Sequence, residues 1–135
     1  NRGTLCPKGA GLLDFVHRAR LHHLGVFPYC AEEGTPAAAM AGQVRRDVKD
    51  RRAAAIMTAQ REISAAILDG CAGTEQEVLV DAPHPEWPGL HVGRTWFQAP
   101  EIDGVTYVSG PGVKPGALVT ATIEEAKDYD LVSLA

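Results

Sequence analysis

Three cysteines, five histidines and a few paired acids are the side chains of this 135-residue chain whose chemistry goes beyond packing, and their spacing limits what they can do. Cys6, Cys30 and Cys71 lie 24 and 41 positions apart, which is neither a close metal-ligand spacing nor an even disulfide set. They read as reduced thiols of a cytoplasmic protein. His22-His23 at a helix end, and His84 and His91 around a loop, have no acidic or cysteine partners at metal-binding spacing and read as surface histidines. Glu124-Glu125, Asp128 and Asp130 are paired acids, yet a general acid needs a desolvated pocket, which a last strand and its tail do not provide. No Gly-rich phosphate loop follows a strand. Alone, the chain is expected to be catalytically inert, so binding is the better question.

Charge divides the chain. Residues 1–75 carry ten Lys and Arg against eight Asp and Glu, a net of +2, and residues 76–135 carry three against nine, a net of −6. Phosphate binding is driven by cationic neutralisation, so the acidic half is expected to repel RNA and to favour a basic protein partner. No apolar run is long enough to span a bilayer, and the start Asn1-Arg2-Gly3-Thr4 has no signal-peptide core behind it. With Asn at position 1, the chain reads as cut from something longer.

The elements follow from periodicity. Residues 1–9, with Gly3, Pro7 and Gly9, read as a loop. Leu12, Leu13, Val16 and Ala19 or Arg20 then set a helical period whose basic end suits the helix dipole, and Gly25 stops it. Val26 to Cys30 is a nearly continuous apolar run, the pattern of a buried parallel strand. Residues 43–70 hold the longest helical signal, with Val48, Arg52, Ala55 or Ile56, Ala59, Ile63, Ala66 and Ile67 as one stripe and Gly70 as its C-cap. Arg45, Arg46, Lys49, Arg51 and Arg52 make a basic patch, but Asp47, Asp50 and Glu62 interleave, so it reads as a solvated helix face.

Beyond Glu75 the chain is strand-rich: Glu77 to Val80, Leu90 to Val92, an aromatic strand Thr95-Trp96-Phe97, Val105 to Val108 after the Asp103-Gly104 turn, and the alternation Leu118, Thr120, Thr122. Five short antiparallel strands close most simply as an OB-like barrel. One of Trp96 and Phe97 is expected to point into its core. Trp87, between Pro85 and Pro88, reads as the more exposed aromatic and an interface anchor.

The run Gly93 to Gly104, followed by Tyr107-Val108-Ser109-Gly110, Val113-Lys114-Pro115-Gly116 and Asp128 to Val132, resembles the C-terminal TRAM domain of the radical-SAM methylthiotransferases. Within that family it most resembles the branch called RimO, which modifies an aspartate of ribosomal protein number twelve of the small subunit. Gly25 to Tyr29 with Glu33 to Ala37 is similar to the last strand and following loop of the family's radical-SAM barrel. The resemblance implies three parts: the end of an α/β barrel (1–42), a connector helix (43–74) and a TRAM barrel (75–135). It places Tyr29, Glu33 and Thr35 near an S-adenosylmethionine pocket. It also implies a parent enzyme with two [4Fe-4S] clusters, whose cysteines lie upstream of Asn1, the chain itself binding neither group. This part would dock the basic ribosomal protein through Glu101, Asp103, Asp128, Asp130 and Trp87. Gln98 stands where the family usually has an acid. Two alternatives remain at this point, a tRNA adenosine methylthiotransferase and a non-enzymatic TRAM binding module.

Overall fold

The computed structural model describes residues 7–135; residues 1–6 of the loop expected over 1–9, Cys6 among them, lie outside the described residues. The chain divides into two compact units, Asn1–Ile63 and Ser64–Ala135, with one helix running across the division.

In the first unit, helix α1 spans Pro7–Ala19. It begins before the expected Ala10, because proline lacks the N–H that the first helical turn cannot use and its fixed φ suits that position. It also ends before Gly25. Arg20 takes a left-handed φ of 47° and its N–H reaches the Val16 carbonyl at 3.0 Å, closing the helix without a glycine. The strand expected over Val26 to Cys30 does not form: these residues are irregular, with Phe27 92% exposed. A strand exists only by pairing. Among the described residues of this unit no neighbouring strand is present, and Pro28 removes a donor.

Helix α2 spans Arg46–Asp69. Its buried side is Ile56, Ala59, Gln60, Ile63, Ser64 and Leu68, whereas Ala55 and Ala66 are exposed. The stripe is thus more polar than its apolar positions suggest. Gln60 earns its burial by donating from Nε2 to the His22 carbonyl at 2.6 Å. The helix ends in tight bonds from Cys71 N–H to the Leu68 carbonyl (2.8 Å) and from Ala72 N–H to the Asp69 carbonyl (3.2 Å), with Gly70 in the turn.

The second unit is a closed five-stranded barrel of β1 (Glu75–Pro83), β2 (His91–Arg94), β3 (Thr106–Ser109), β4 (Leu118–Ala126) and β5 (Leu131–Leu134), in the order β1-β2-β3-β5-β4. The expected number of strands is right and their membership is not. Thr95, Trp96 and Phe97 form a turn, and Leu131–Leu134 supplies the fifth strand. Nor is the barrel antiparallel throughout, since β3 and β5 run parallel, Thr106 beside Leu131. Parity requires this: each antiparallel contact reverses direction, and a ring of five cannot close on reversals alone. Bulges between Val80 and Ala82 and between Ile123 and Glu125 bend the two long strands so that each serves two neighbours.

Alternation sets the interior. Val78, Val80, Val108 and Ala121 form one cluster, and Leu68 from the last turn of α2 joins Ile123 and Leu131 in another, against which Phe97 packs. Leu68 is 1% exposed, and burying a leucine to that degree contributes about 2 kcal/mol. Among the described residues no helix is long and apolar enough to cross a membrane.

Candidate functional site

The first unit holds an open cavity of about 420 Å3 lined by Tyr29, Met40, Gln43, Val44, Lys49 and Arg52 among others. The Lys49 ammonium donates to the Tyr29 carbonyl at 2.6 Å and lies 5.1 Å from the centre of the Tyr29 ring, so the same cation holds both the backbone and the aromatic face. Gln43 fastens the loop between them, donating to the carbonyls of Ala37 (2.8 Å) and Met40 (3.2 Å). Of the three residues expected near a cofactor, Tyr29 lines this cavity. Thr35 closes a turn instead, with its hydroxyl donating to the Glu32 carbonyl at 2.8 Å and accepting from Ala38 N–H at 3.3 Å. Glu33 is exposed on that turn. Lys49 was hidden in the sequence inside a charge-compensated helix face. Its neighbours Arg46 and Asp50 do pair along the helix at 3.0 Å.

The fit of the chain to an iron–sulfur cluster fails among the described residues. Cys30 and Cys71 are free thiols, and no three His, Cys, Asp or Glu side chains converge. Burial raises the Cys71 thiol above its ordinary range, which disfavours the thiolate a metal would need.

On the barrel, the four expected acids separate into two kinds. Asp103 accepts from Ala99 N–H at 3.0 Å while its own N–H reaches the Ala99 carbonyl at 3.3 Å, which closes the loop on itself. Asp130 accepts from Val105 N–H at 2.9 Å, and Leu131 N–H reaches the Val105 carbonyl at 2.9 Å, tying the β4–β5 loop to the start of β3. Between them sits Gly104 at φ +73°, where a Cβ would collide with the Tyr129 carbonyl. Asp103, Gly104 and Asp130 therefore form one backbone junction, whereas Glu101 and Asp128 are exposed to solvent.

Aromatic exposure reverses the expectation drawn from the prolines: Trp96 is 85% exposed and Trp87 59%. Trp87 is partly covered because its ring stacks on His84 at 4.7 Å, and His84 in turn lies 5.7 Å from Tyr107. The His84 Nδ1 accepts from the N–H groups of Glu86 (3.2 Å) and Trp87 (3.3 Å), so a histidine that looked incidental shapes the β1–β2 loop. Phe97 is the member of its pair that packs on the core. Gln98, noted in the sequence only for standing in place of an acid, is a buried acceptor. It is 4% exposed, and its Oε1 accepts from Thr95 N–H (3.0 Å), the Thr95 hydroxyl (3.1 Å) and the Thr106 hydroxyl (2.7 Å).

Comparison with known proteins agrees with this geometry. Residues 72–135 match the TRAM domain family. The chain is 65% identical over 124 residues to a protein of Oleidesulfovibrio alaskensis named ribosomal protein uS12 methylthiotransferase RimO, covering 92% of this chain and 29% of that protein. Proteins of the same name from Nitratidesulfovibrio vulgaris strain Hildenborough (64% over 126 residues, 93% and 29% covered) and Lawsonia intracellularis (50% over 124 residues, 92% and 28%) match similarly. The chain thus spans less than a third of the length of these relatives. Residues 72–135 thus carry a TRAM domain, and nine-tenths of the chain is similar to a stretch of the proteins named as RimO-type methylthiotransferases.

Proposed function

We propose that this chain is the docking part of a ribosomal protein uS12 aspartate methylthiotransferase, and that its barrel binds the basic protein substrate. The observation that carries the reading is identity of 64–65% across more than nine-tenths of the chain with proteins named for that activity. Charge supports protein over RNA: residues 76–135 carry a net of −6, and Arg94, one of their three cations, is paired with Asp81 at 2.7 Å. In this reading residues 1–42 end a radical-SAM barrel, 43–74 connect, and 75–135 form the TRAM barrel. The strand order with β1 bonded to both β2 and β4 supports its OB-like kinship.

The parent enzyme would draw its chemistry from S-adenosylmethionine and two [4Fe-4S] clusters, whose ligands are not among the described residues. Tyr29, with Glu33 and Thr35 on the adjoining loop, would border the S-adenosylmethionine pocket. Docking falls to the exposed Glu101, Asp128 and Trp87, while Asp103 and Asp130 fix the junction that presents them. The location is the cytoplasm, where ribosomal proteins are made and assembled.

The test is a titration of the chain with purified uS12 of Oleidesulfovibrio alaskensis near physiological salt. Binding should weaken as salt rises and should fall several-fold in Glu101→Lys and Asp128→Lys, with melting temperatures retained. Equal affinity in both variants would remove these carboxylates from the interface. A salt-sensitive complex with a tRNA anticodon stem-loop, and none with uS12, would move the parent to tRNA modification.

A further inference from the structure

A groove of about 220 Å3 opens on the outside of the barrel where β2 ends. Its floor follows from register. Leu79 on β1 stands opposite Arg94 on β2 and Leu118 on β4, so these outward side chains form one row across three strands. Glu77, two residues before Leu79 and hence on the same face, lines one end, and Trp96 lines the wall. Leu118 is 62% exposed and Trp96 85%. The groove therefore combines an uncovered aliphatic strip, an indole, a carboxylate and the Arg94 guanidinium that Asp81 neutralises.

The exposure of Trp96 does not come from a loose loop. The three hydrogen bonds to Gln98 Oε1 pin the turn from inside, with Thr95 at 3% and Thr106 at 0% exposure. Phe97 meets the Trp96 ring edge-on at 5.4 Å and is itself packed on the Leu68, Ile123 and Leu131 cluster. An indole fixed in advance loses little conformational freedom on binding, which is how a docking surface limits its entropic cost. Arg94 is already paired with Asp81, whereas Glu77 has no ion pair among the described residues.

We propose that this groove receives a lysine or arginine side chain of a basic protein partner, with its aliphatic stem on Leu79 and Leu118 and its cation shared by the Trp96 face and the Glu77 carboxylate. Charge selects this occupant over a nucleic acid: Glu77 lines the floor, the cation of the lining, Arg94, is neutralised by Asp81, and residues 76–135 carry a net of −6. The inference rests on the protein-docking reading above and adds to it a subsite separate from the Trp87 loop.

The experiment titrates the isotopically labelled 135-residue chain with uS12 of Oleidesulfovibrio alaskensis and, separately, with a short oligouridylate. With uS12, the Trp96 indole and the Gln98 side-chain amide signals should shift. Trp96→Ala and Glu77→Lys should each weaken binding about tenfold, Trp96→Phe less, all with the parent's melting temperature. Binding of uS12 at unchanged affinity in both Trp96→Ala and Glu77→Lys overturns the groove and leaves the docking reading standing. Absence of uS12 binding overturns both. Shifts of Trp96 with oligouridylate alone, or with protein concentration alone, would assign the groove to RNA or to a second copy and overturn the proposal.

Discussion

Replacing Gln98 by leucine tests whether one buried carbonyl holds the Trp96 turn. In the native barrel Gln98 Oε1 accepts three hydrogen bonds. Leucine fills the volume but accepts none. The Thr95 N–H is fixed in the backbone and buried, so its loss costs roughly 1–3 kcal/mol, and the two hydroxyls, which can rotate, add about 1 kcal/mol each. Two gains offset part of this. Leucine buries more apolar surface, worth about 1 kcal/mol, and the Gln98 Nε2, which has no partner among the described residues, disappears. The net is a loss of about 2 kcal/mol, which in a unit the size of Ser64–Ala135 lowers the melting temperature by roughly 8–16 °C. Gln98→Glu keeps an acceptor for the same donors and replaces the orphan donor by oxygen, so it should lose less than leucine at neutral pH. Thermal unfolding by circular dichroism gives the stabilities, and the Trp96 indole resonance reports the turn. A leucine variant within about 2 °C of the parent, or a glutamate variant as unstable as leucine, would refute the acceptor argument.

Two further outcomes follow from local geometry. Gly104→Ala should cost well over 2 kcal/mol in a urea titration, because φ of +73° and a collision with the Tyr129 carbonyl act together, whereas Gly112→Ala, at φ +77° with nothing within 4 Å, should cost only about 1 kcal/mol; equal losses would mean that the junction yields. Cys30 should be alkylated by iodoacetamide before Cys71, read by peptide mass mapping, because Cys30 is exposed while burial raises the Cys71 thiol and depletes its thiolate. A thiol raised on folding stabilises the fold below its unfolded value and loses that contribution as pH climbs through the alkaline range, so the rate gap should narrow there. Equal rates at neutral pH would contradict the burial argument.

What the sequence made legible was the part governed by periodicity. The alternation Leu118, Thr120, Thr122 marked β4, with Leu118 exposed and the intervening Ala121 and Ile123 buried, and the absence of Pro and Gly through Arg46–Asp69 gave the long helix. Glu101, Asp103, Asp128 and Asp130 looked alike as surface acids in the sequence, and only Glu101 and Asp128 are exposed. Partners distant in sequence decided the rest. Asp130 looks like a surface acid until Val105, 25 positions away, is seen to need its oxygen. Thr95-Trp96-Phe97 has strand composition, but the ladder bonds it would make are replaced by Gln98, whose acceptor is completed only by Thr106 on β3. The same competition explains why the most exposed tryptophan of the barrel is not the one between two prolines: Trp87 finds His84 three residues before it, whereas Trp96 is turned outward by the inward commitments of Thr95, Phe97 and Gln98 around it. A turn held this firmly from below fixes where its one outward side chain points, and it is that fixity, more than the residue type, that marks Trp96 as a place for a partner to bind.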